Sequence, residues 1–383
     1  MSSIVVGGSL AQRPGYGGHA WALLNYVLGL RQLGHDVLFL DRLTPEMATD
    51  AAGAPSAAAR ERCVAWLADT MAGLGLEDSY ALLLDDGSET VGLSRATVLT
   101  HVRDSDLLLN VMGFVDDDEV LAASRQRVFV DIDPGFGQMW RELGLHDPFA
   151  GHDAFVTVGE NVGQPDCKVP TCGLDWIVTP QPIALGHWPV AARGTRVTSV
   201  GSWRGPYDPV EYGGQRYGLR AHELRKLARL PAMVDAELEL ALDIDPADSA
   251  DSELLRANGW RLADPSVVAV DPWAYRDYIQ GSLAELMVAK SMYVDTRSGW
   301  FSDRSVCYLA SGRPVVAQDT GFSDRLPTGE GLIAYSDVDG AAAGIDAVSS
   351  DWDRHSRVAR EIAEERFEAG KVLGRLLDRL GAA

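Results

Sequence analysis

The chain lacks any apolar run approaching the roughly 18–20 residues needed to span a bilayer as a helix. Its opening, Met1-Ser2-Ser3-Ile4-Val5-Val6-Gly7, enters a strand-like segment with neither a basic leader nor a cleavable apolar stretch, and reads as cytoplasmic. Cysteine is scarce: Cys63, Cys167, Cys172 and Cys307 are too few to staple 383 residues with disulfides. Cys167 and Cys172 lie five apart, but no second pair or histidine cluster completes a zinc site, so no metal is expected. Lysine is as scarce, four against thirty arginines, which with abundant alanine and glycine suggests a GC-rich bacterial genome. Basic residues as a whole are outnumbered 34 to 55, leaving a net charge of −21. A field of that sign repels nucleic-acid backbones and anionic membranes, and partners of both kinds are not expected. Any anionic ligand must be gripped locally, by a few cations or by helix N-termini.

What is present is an ordinary globular balance, 46% hydrophobic and 23% charged, in a chain long enough for two domains. Short apolar runs alternate with helix-period segments, the pattern of open parallel sheets covered by helices on both faces. In the first half, strands are expected at 4–6, 37–40, 107–111, 128–130 and 154–158. Leu23, Tyr26, Val27, Leu30 and Leu33 recur at helical spacing, and Gly34 closes that helix. Periodicity lapses where Pro180-Gln181-Pro182 and His187-Trp188-Pro189 break both helix and strand. A second series follows, with strands at 197–200, 238–242, 267–270, 292–294, 315–317 and 332–334. Its helices are expected at 222–230, 253–257, 273–279, 302–311 and 341–348, and a long amphipathic helix from 351 to about 380 closes the chain. The expected fold class is α/β, with two doubly wound Rossmann-like domains facing each other across a cleft. The first covers 1–185 and the second 190–350, with 351–383 a terminal helix packing back on the first.

Open parallel sheets bind ligands beyond the carboxyl ends of their strands. The most informative such place is Tyr293-Val294-Asp295-Thr296-Arg297-Ser298-Gly299-Trp300-Phe301-Ser302-Asp303-Arg304-Ser305, read as leaving a strand and entering a helix capped by Ser302 or Asp303. Free N–H groups at that helix start favour a phosphate, and Arg297 and Arg304 would add charge-assisted bonds. An ordinary capped helix with surface arginines is the competing account. Lys290 is either a further phosphate cation or a solvated helix end.

In the first half, the glycine-rich loop after the first strand runs to Gly17-Gly18-His19. Glycines there permit close approach, so Gly17 and Gly18 are candidates for acceptor contact. His19 opens the helix and has a pKa suited to taking a hydroxyl proton, unless it only caps the helix. Asp131 and Asp133 stand just beyond the 128–130 strand and are rival bases, although Asp133-Pro134-Gly135 is also a turn signal. Asp175 and Trp176, with Thr179 and Gln181, are placed where they could line the cleft.

Ala310-Ser311-Gly312-Arg313-Pro314-Val315-Val316-Ala317 resembles the A-x-G-x-P-V-V helix-to-strand passage of GT-B glycosyltransferases. The run from Gly299 to Phe322, and the segments around Asp131–Gly135 and Tyr275–Ile279, are similar to a group of bacterial GT-B proteins. The likeness covers most of the chain in element order and is specific over 290–322. It implies that the second domain holds a nucleoside-diphosphate sugar, its sugar near Gln318, Asp319 and Thr320. It also nominates Ser202 and Arg204, in the turn after the 197–200 strand, for the diphosphate. The resemblance implies transfer to a hydroxyl or amine of a small-molecule acceptor, without a metal or other cofactor. One departure stands out: many retaining members carry two glutamates eight residues apart, where this chain has Gly299 and Cys307.

Other readings stay open. A nucleotide-sugar epimerase would share the fold, and the missing glutamates fit a non-catalytic nucleotide-sugar binder. Gly15-Tyr16-Gly17-Gly18-His19-Ala20 formally matches a dinucleotide fingerprint, but it begins about eight residues too late after the strand for the tight turn that motif needs.

Overall fold

The computed structural model describes residues 2–50, 52–205 and 207–382. Two open sheets account for most of the strands. The first contains β1 (Ser3–Gly7), β2 (Asp36–Leu43), β3 (Tyr80–Leu84), β4 (Glu89–Gly92), β5 (Leu107–Val111), β6 (Arg127–Asp131), β7 (Ala154–Thr157) and β8 (Trp176–Val178). Their order is β4-β3-β2-β1-β5-β6-β7-β8, parallel throughout except for the β3–β4 hairpin. The second sheet is built from β9 (Arg196–Ser202), β12 (Glu237–Asp243), β13 (Arg261–Leu262), β14 (Ala284–Met287), β15 (Val315–Gln318) and β16 (Leu332–Tyr335). It is wholly parallel, in the order β13-β12-β9-β14-β15-β16. A small antiparallel hairpin, β10 (Val210–Tyr212) and β11 (Gln215–Tyr217), leaves the second sheet after β9.

The helices of the first half are α1 (Gly17–Gln32), α2 (Ala57–Gly73), α3 (Arg95–Asp104), α4 (Asp118–Ala123) and α5 (Phe136–Glu142). The second half adds α6 (Arg220–Lys226), α7 (Ser249–Ala257), α8 (Pro265–Val268), α9 (Pro272–Gln280), α10 (Ser291–Thr296), α11 (Asp303–Ala310) and α12 (Val338–Ser350). The terminal segment supplies α13 (Trp352–Ile362) and α14 (Ala369–Leu380). No helix among the described residues is long and apolar enough to cross a membrane.

In each sheet the strand order reverses beside its first strand, between β1 and β5 and between β9 and β14. Those two reversals open the crevices at which doubly wound sheets receive ligands. The central strands are buried on both faces, and Ile4, Val5, Val6, Leu108, Leu109, Ala284, Leu286, Val315 and Val316 are essentially inaccessible. This is why they read as continuous apolar runs.

Three expectations are corrected. Residues 267–270 are not a strand: Asp264 caps Ser266 N–H at 2.9 Å, Pro265 starts a helical turn, and α8 results. Residues 292–294 belong to α10, and the strand expected there is β14, eight residues earlier. Glu285 disguises β14, because a buried carboxylate breaks the apolar pattern. The long final helix is interrupted at Ala363–Phe367 by a π-helical turn, after which Glu368 caps α14 by accepting from Gly370 and Lys371 N–H at 2.9 Å each. The interruption lets the chain pair with the inter-sheet linker: Ile183 N–H donates to Phe367 at 2.8 Å, and Ala369 N–H to Ile183 at 2.9 Å.

Candidate active site

At the carboxyl end of β9 two arginines meet. Gly201 has no side chain, and a Cβ there would lie 2.5 Å from Arg220 Nη1 and 3.3 Å from Arg304 Nη1. Arg220, from the first turn of α6, donates to the Ser202 carbonyl at 3.1 Å, while its Nε–H has no partner. Arg304, from the first turn of α11, donates Nε–H to Glu285 at 2.5 Å and Nη1–H to the Val200 carbonyl at 3.0 Å. Its Nη2 has no partner either, although the residue is 6% exposed. Arg220 Nε and Arg304 Nη2, with Oε2 of the Arg304 partner Glu285, are among the buried polar atoms left without a partner, so the two guanidiniums keep donors to spare at this corner. Burial, then repulsion from Arg304, pulls the Arg220 guanidinium down to about 10, so it stays charged at neutral pH. Burial also weighs on Arg304, but Glu285 more than offsets it and the group ends above its usual value. Burial raises the Glu285 carboxyl, and Arg304 opposes that shift.

A third cation lies just after β14. Lys290, 6% exposed, reaches across to the first half and pairs with Asp133 at 2.8 and 3.1 Å. Tyr293 OH donates to the same carboxylate. The Lys290 ammonium sits 4.9 Å from the Phe136 ring, 5.2 Å from Tyr293 and 5.6 Å from Tyr207, an aromatic enclosure that favours a cation. Burial lowers its pKa, Asp133 raises it, and nearby Arg220 lowers it again. Further bridges join the halves: Tyr16 OH donates to Asp243 at 3.2 Å, and Asn161 Nδ2 donates to the Gly321 carbonyl at 3.0 Å.

Of the residues expected to hold a donor, Ser202, Lys290, Ser302, Asp303 and Arg304 gather around this corner. Ser302 caps α11 by accepting from Arg304 N–H at 3.2 Å, and burial raises the pKa of Asp303 in the same turn. Arg204 stands half-exposed, its guanidinium held by both Asp248 oxygens at 2.6 and 2.7 Å, while Arg220 turns inward. Arg297 is likewise engaged, with Asp166 at 3.1 Å and Asp324 at 2.7 Å, and it ends α10 in the left-handed conformation at φ 51°. Asp319 and Thr320 follow β15. Asp319 caps the next turn, accepting from Gly321 N–H at 2.9 Å and Ser323 Oγ at 2.7 Å, and Thr320 Oγ1 donates to the Trp300 carbonyl at 2.6 Å.

On the first half, His19 Nε2 lies 2.7 Å from the Ser9 carbonyl, which fixes the proton on Nε2 and leaves Nδ1 with a lone pair. Burial lowers its pKa, so the ring is neutral near pH 7. Asp131 is buried and accepts three hydrogen bonds, from Gln138 Nε2 at 2.7 Å, Thr157 Oγ1 at 2.8 Å and Asp133 N–H at 3.0 Å. Gly17 and Gly18 serve contact between the halves. A Cβ on Gly17 would lie 2.1 Å from the Asp271 carbonyl oxygen, and one on Gly18 would lie 2.7 Å from the Tyr275 ring. Trp176 starts edge strand β8, at the amino end of the sheet and away from the ligand edge. Its indole donates to Thr171 at 3.0 Å and packs on Phe149 and Phe155, while Asp175 just before it is exposed. Gly299 and Cys307 do not face the cleft as a pair: a Cβ on Gly299 would meet Asn161 at 2.8 Å, and Cys307 is buried.

Arg220, Glu285 and Tyr207 escaped the sequence reading. Glu285 was hidden because its neutralising partner lies 19 residues away, and Tyr207 follows no periodic segment. Arg220 had a visible signal, a basic residue opening a helix soon after a strand. Among the described residues, no three His, Cys, Asp or Glu side chains converge as a metal site.

Paired sheets of this topology, opposed across a cleft with cations at the second switch point, define the GT-B fold of the nucleotide-sugar glycosyltransferases. Among solved structures, the chain is similar over its whole length to sucrose-phosphate synthase from Thermosynechococcus elongatus, with a TM-score of 0.53 at 12% identity and 100% of each chain covered. It is also similar to HepE from Anabaena in complex with UDP and glucose, TM-score 0.56 at 13% identity, 100% of each chain covered. An α-glucosyltransferase in complex with UDP and a 13-mer DNA gives 0.59 at 11% identity over 99% of each chain. Neither a protein-family model nor a curated protein sequence matches the chain.

Proposed function

We propose that the protein is a glycosyltransferase that moves a sugar from a nucleoside-diphosphate sugar to a hydroxyl of a small-molecule acceptor. The observation that carries this reading is the pair of unpartnered N–H groups on buried Arg220 and Arg304, beside Lys290, at the second sheet's switch point. A diphosphate supplies the acceptor oxygens those groups lack, and the two arginines and the lysine offset its charge in place of a metal ion. Such fixed donors act most strongly on the leaving group, where negative charge grows as the bond breaks. In the step, the acceptor oxygen bonds to the anomeric carbon, the bond from that carbon to the diphosphate breaks, and the nucleoside diphosphate departs. The acceptor proton goes to His19 Nδ1, which no hydrogen bond engages, whereas Asp131 and Asp133 each already accept three. Asp131 is occupied by Gln138, Thr157 and its own turn, and Asp133 is shared between Lys290 and Tyr293.

Calorimetric titration with UDP and other nucleoside diphosphates tests the reading. Arg220→Ala should weaken binding by about 1.5–3 kcal/mol, the scale of a charged hydrogen bond. Unchanged affinity would remove Arg220 from the site. A non-catalytic nucleotide-sugar binder remains the second reading, favoured by the side chains at positions 299 and 307, which offer no carboxylate. Nucleotide binding with neither donor hydrolysis nor transfer would select it.

A further inference from the structure

The hydrophobic effect leaves few large apolar side chains in water without cause, and Leu143 and Leu145 are 43% and 69% exposed side by side after α5. They form one wall of a groove of about 490 Å³ with Trp140 from the first half, and Tyr207, Pro209 and Val210 face them from the second. The groove therefore spans the gap between the two sheets. Its floor is aromatic: the Trp140 and Tyr207 rings meet edge-on at 5.0 Å, and Tyr207 packs on Phe136 at 5.0 Å. The charged residues lining it are Asp208 and Glu211, both acidic. At its inner end it adjoins the active site, because Tyr207 and Phe136 are also walls of the Lys290 enclosure. Burial, followed by the charges of Asp133 and Asp131, pushes up the Tyr207 phenol.

We propose that this groove, lined by Trp140, Leu143, Leu145 and Tyr207, holds the acceptor, and that the acceptor is an uncharged or cationic alcohol with an apolar ring body. The assignment rests on the glycosyltransferase reading and deepens it. Flat rings stack on Trp140 and Tyr207, and the leucines cover apolar edges that a sugar acceptor, rich in hydroxyls, would leave unsatisfied. The two carboxylates repel an anionic acceptor.

The test uses 2-naphthol, neutral at pH 7.5, with 2-naphthoate as an anion of the same ring system and glucose as a polar acceptor. Each is titrated calorimetrically into the full chain, and UDP is titrated into the same samples. Expected is binding of 2-naphthol, at least about tenfold weaker binding of 2-naphthoate and glucose, and glucosylation of 2-naphthol from UDP-glucose. Trp140→Ala should weaken 2-naphthol by at least about tenfold, with UDP affinity unchanged. Leu145→Asp, at an exposed position where folding is safe, should do the same and keeps the test decisive if the tryptophan variant fails to fold. UDP binding together with 2-naphthol affinity indifferent to both variants, or a preference for glucose, overturns the groove assignment and spares the donor site. Loss of UDP binding in the unaltered protein overturns the donor reading instead, and the groove is then judged by the naphthol titrations alone.

Discussion

Two buried carboxylates show how single residues set the pH behaviour of the chain. Asp41 closes the loop after β1 by accepting from Leu10 and Ala11 N–H at 2.7 Å each, yet burial lifts it to about 7. Asp131 is lifted to about 6 for the same reason. A carboxyl whose folded pKa exceeds its unfolded value gives stability that is fully present below the unfolded pKa of 3.8 and is lost as pH rises through the folded value. Urea denaturation of Asp41→Asn should accordingly depend less steeply on pH than the parent between about pH 4 and 7. His19 has the opposite sense. Its lowered pKa keeps the ring neutral, so turnover should hold level from alkaline pH down to about 6.5 and fall only below it. A profile that is unaffected by His19→Ala would exclude it as the base. Arg304 differs from Arg220 in holding a buried ion pair: Arg304→Ala strands Glu285 without its partner and should cost about 3–5 kcal/mol of stability in a chemical melt.

At the scale of elements, the sequence revealed those whose burial is simple. β1, β2, β5, β6, β7, β9, β12, β15 and β16 overlap the apolar runs, and α1, α7, α9, α11 and α12 follow their periodicity. The failures share a cause, because local pattern cannot see a partner that arrives from elsewhere. β14 looked polar because Glu285 is neutralised by an arginine 19 residues on, and the final helix looked continuous because its interruption answers to Ile183. The α11 start was legible from its cap, but Lys290 only from residue type, since it follows β14 where the sequence placed it before a strand. The inward turn of Arg220 in preference to Arg204 was not, since it depends on Asp248 claiming the latter. The glycines at the start of α1 were legible as a close approach, but not what they approach. Gly17→Ala would drive a methyl against the Asp271 carbonyl and should destabilise the chain by about 1–3 kcal/mol, measured by thermal denaturation.

For the molecule as a whole, the strong negative charge and the proposed anionic donor would be reconciled by placement. The positive groups are few, but Arg220, Arg304 and Lys290 are buried together where water screens them least. Because those groups and their partners come from both halves, a nucleotide at one hundred times its dissociation constant should add about 2.7 kcal/mol to unfolding. A melt showing one half stabilised alone would argue against a ligand seated between them.

The terminal segment gives this arrangement a mechanical side. α13 lies on the second half, where Ser356 donates to Gly312 at 2.7 Å, and α14 lies on the first, where Arg379 donates to Val178 at 3.0 Å. The backbone thus passes between the halves twice, once through the linker and once through the helix interruption, and the two passages are stitched together at Ile183. The halves are thereby tied at one place by two neighbouring passages of the chain, in addition to the Lys290–Asp133 pair that bridges them.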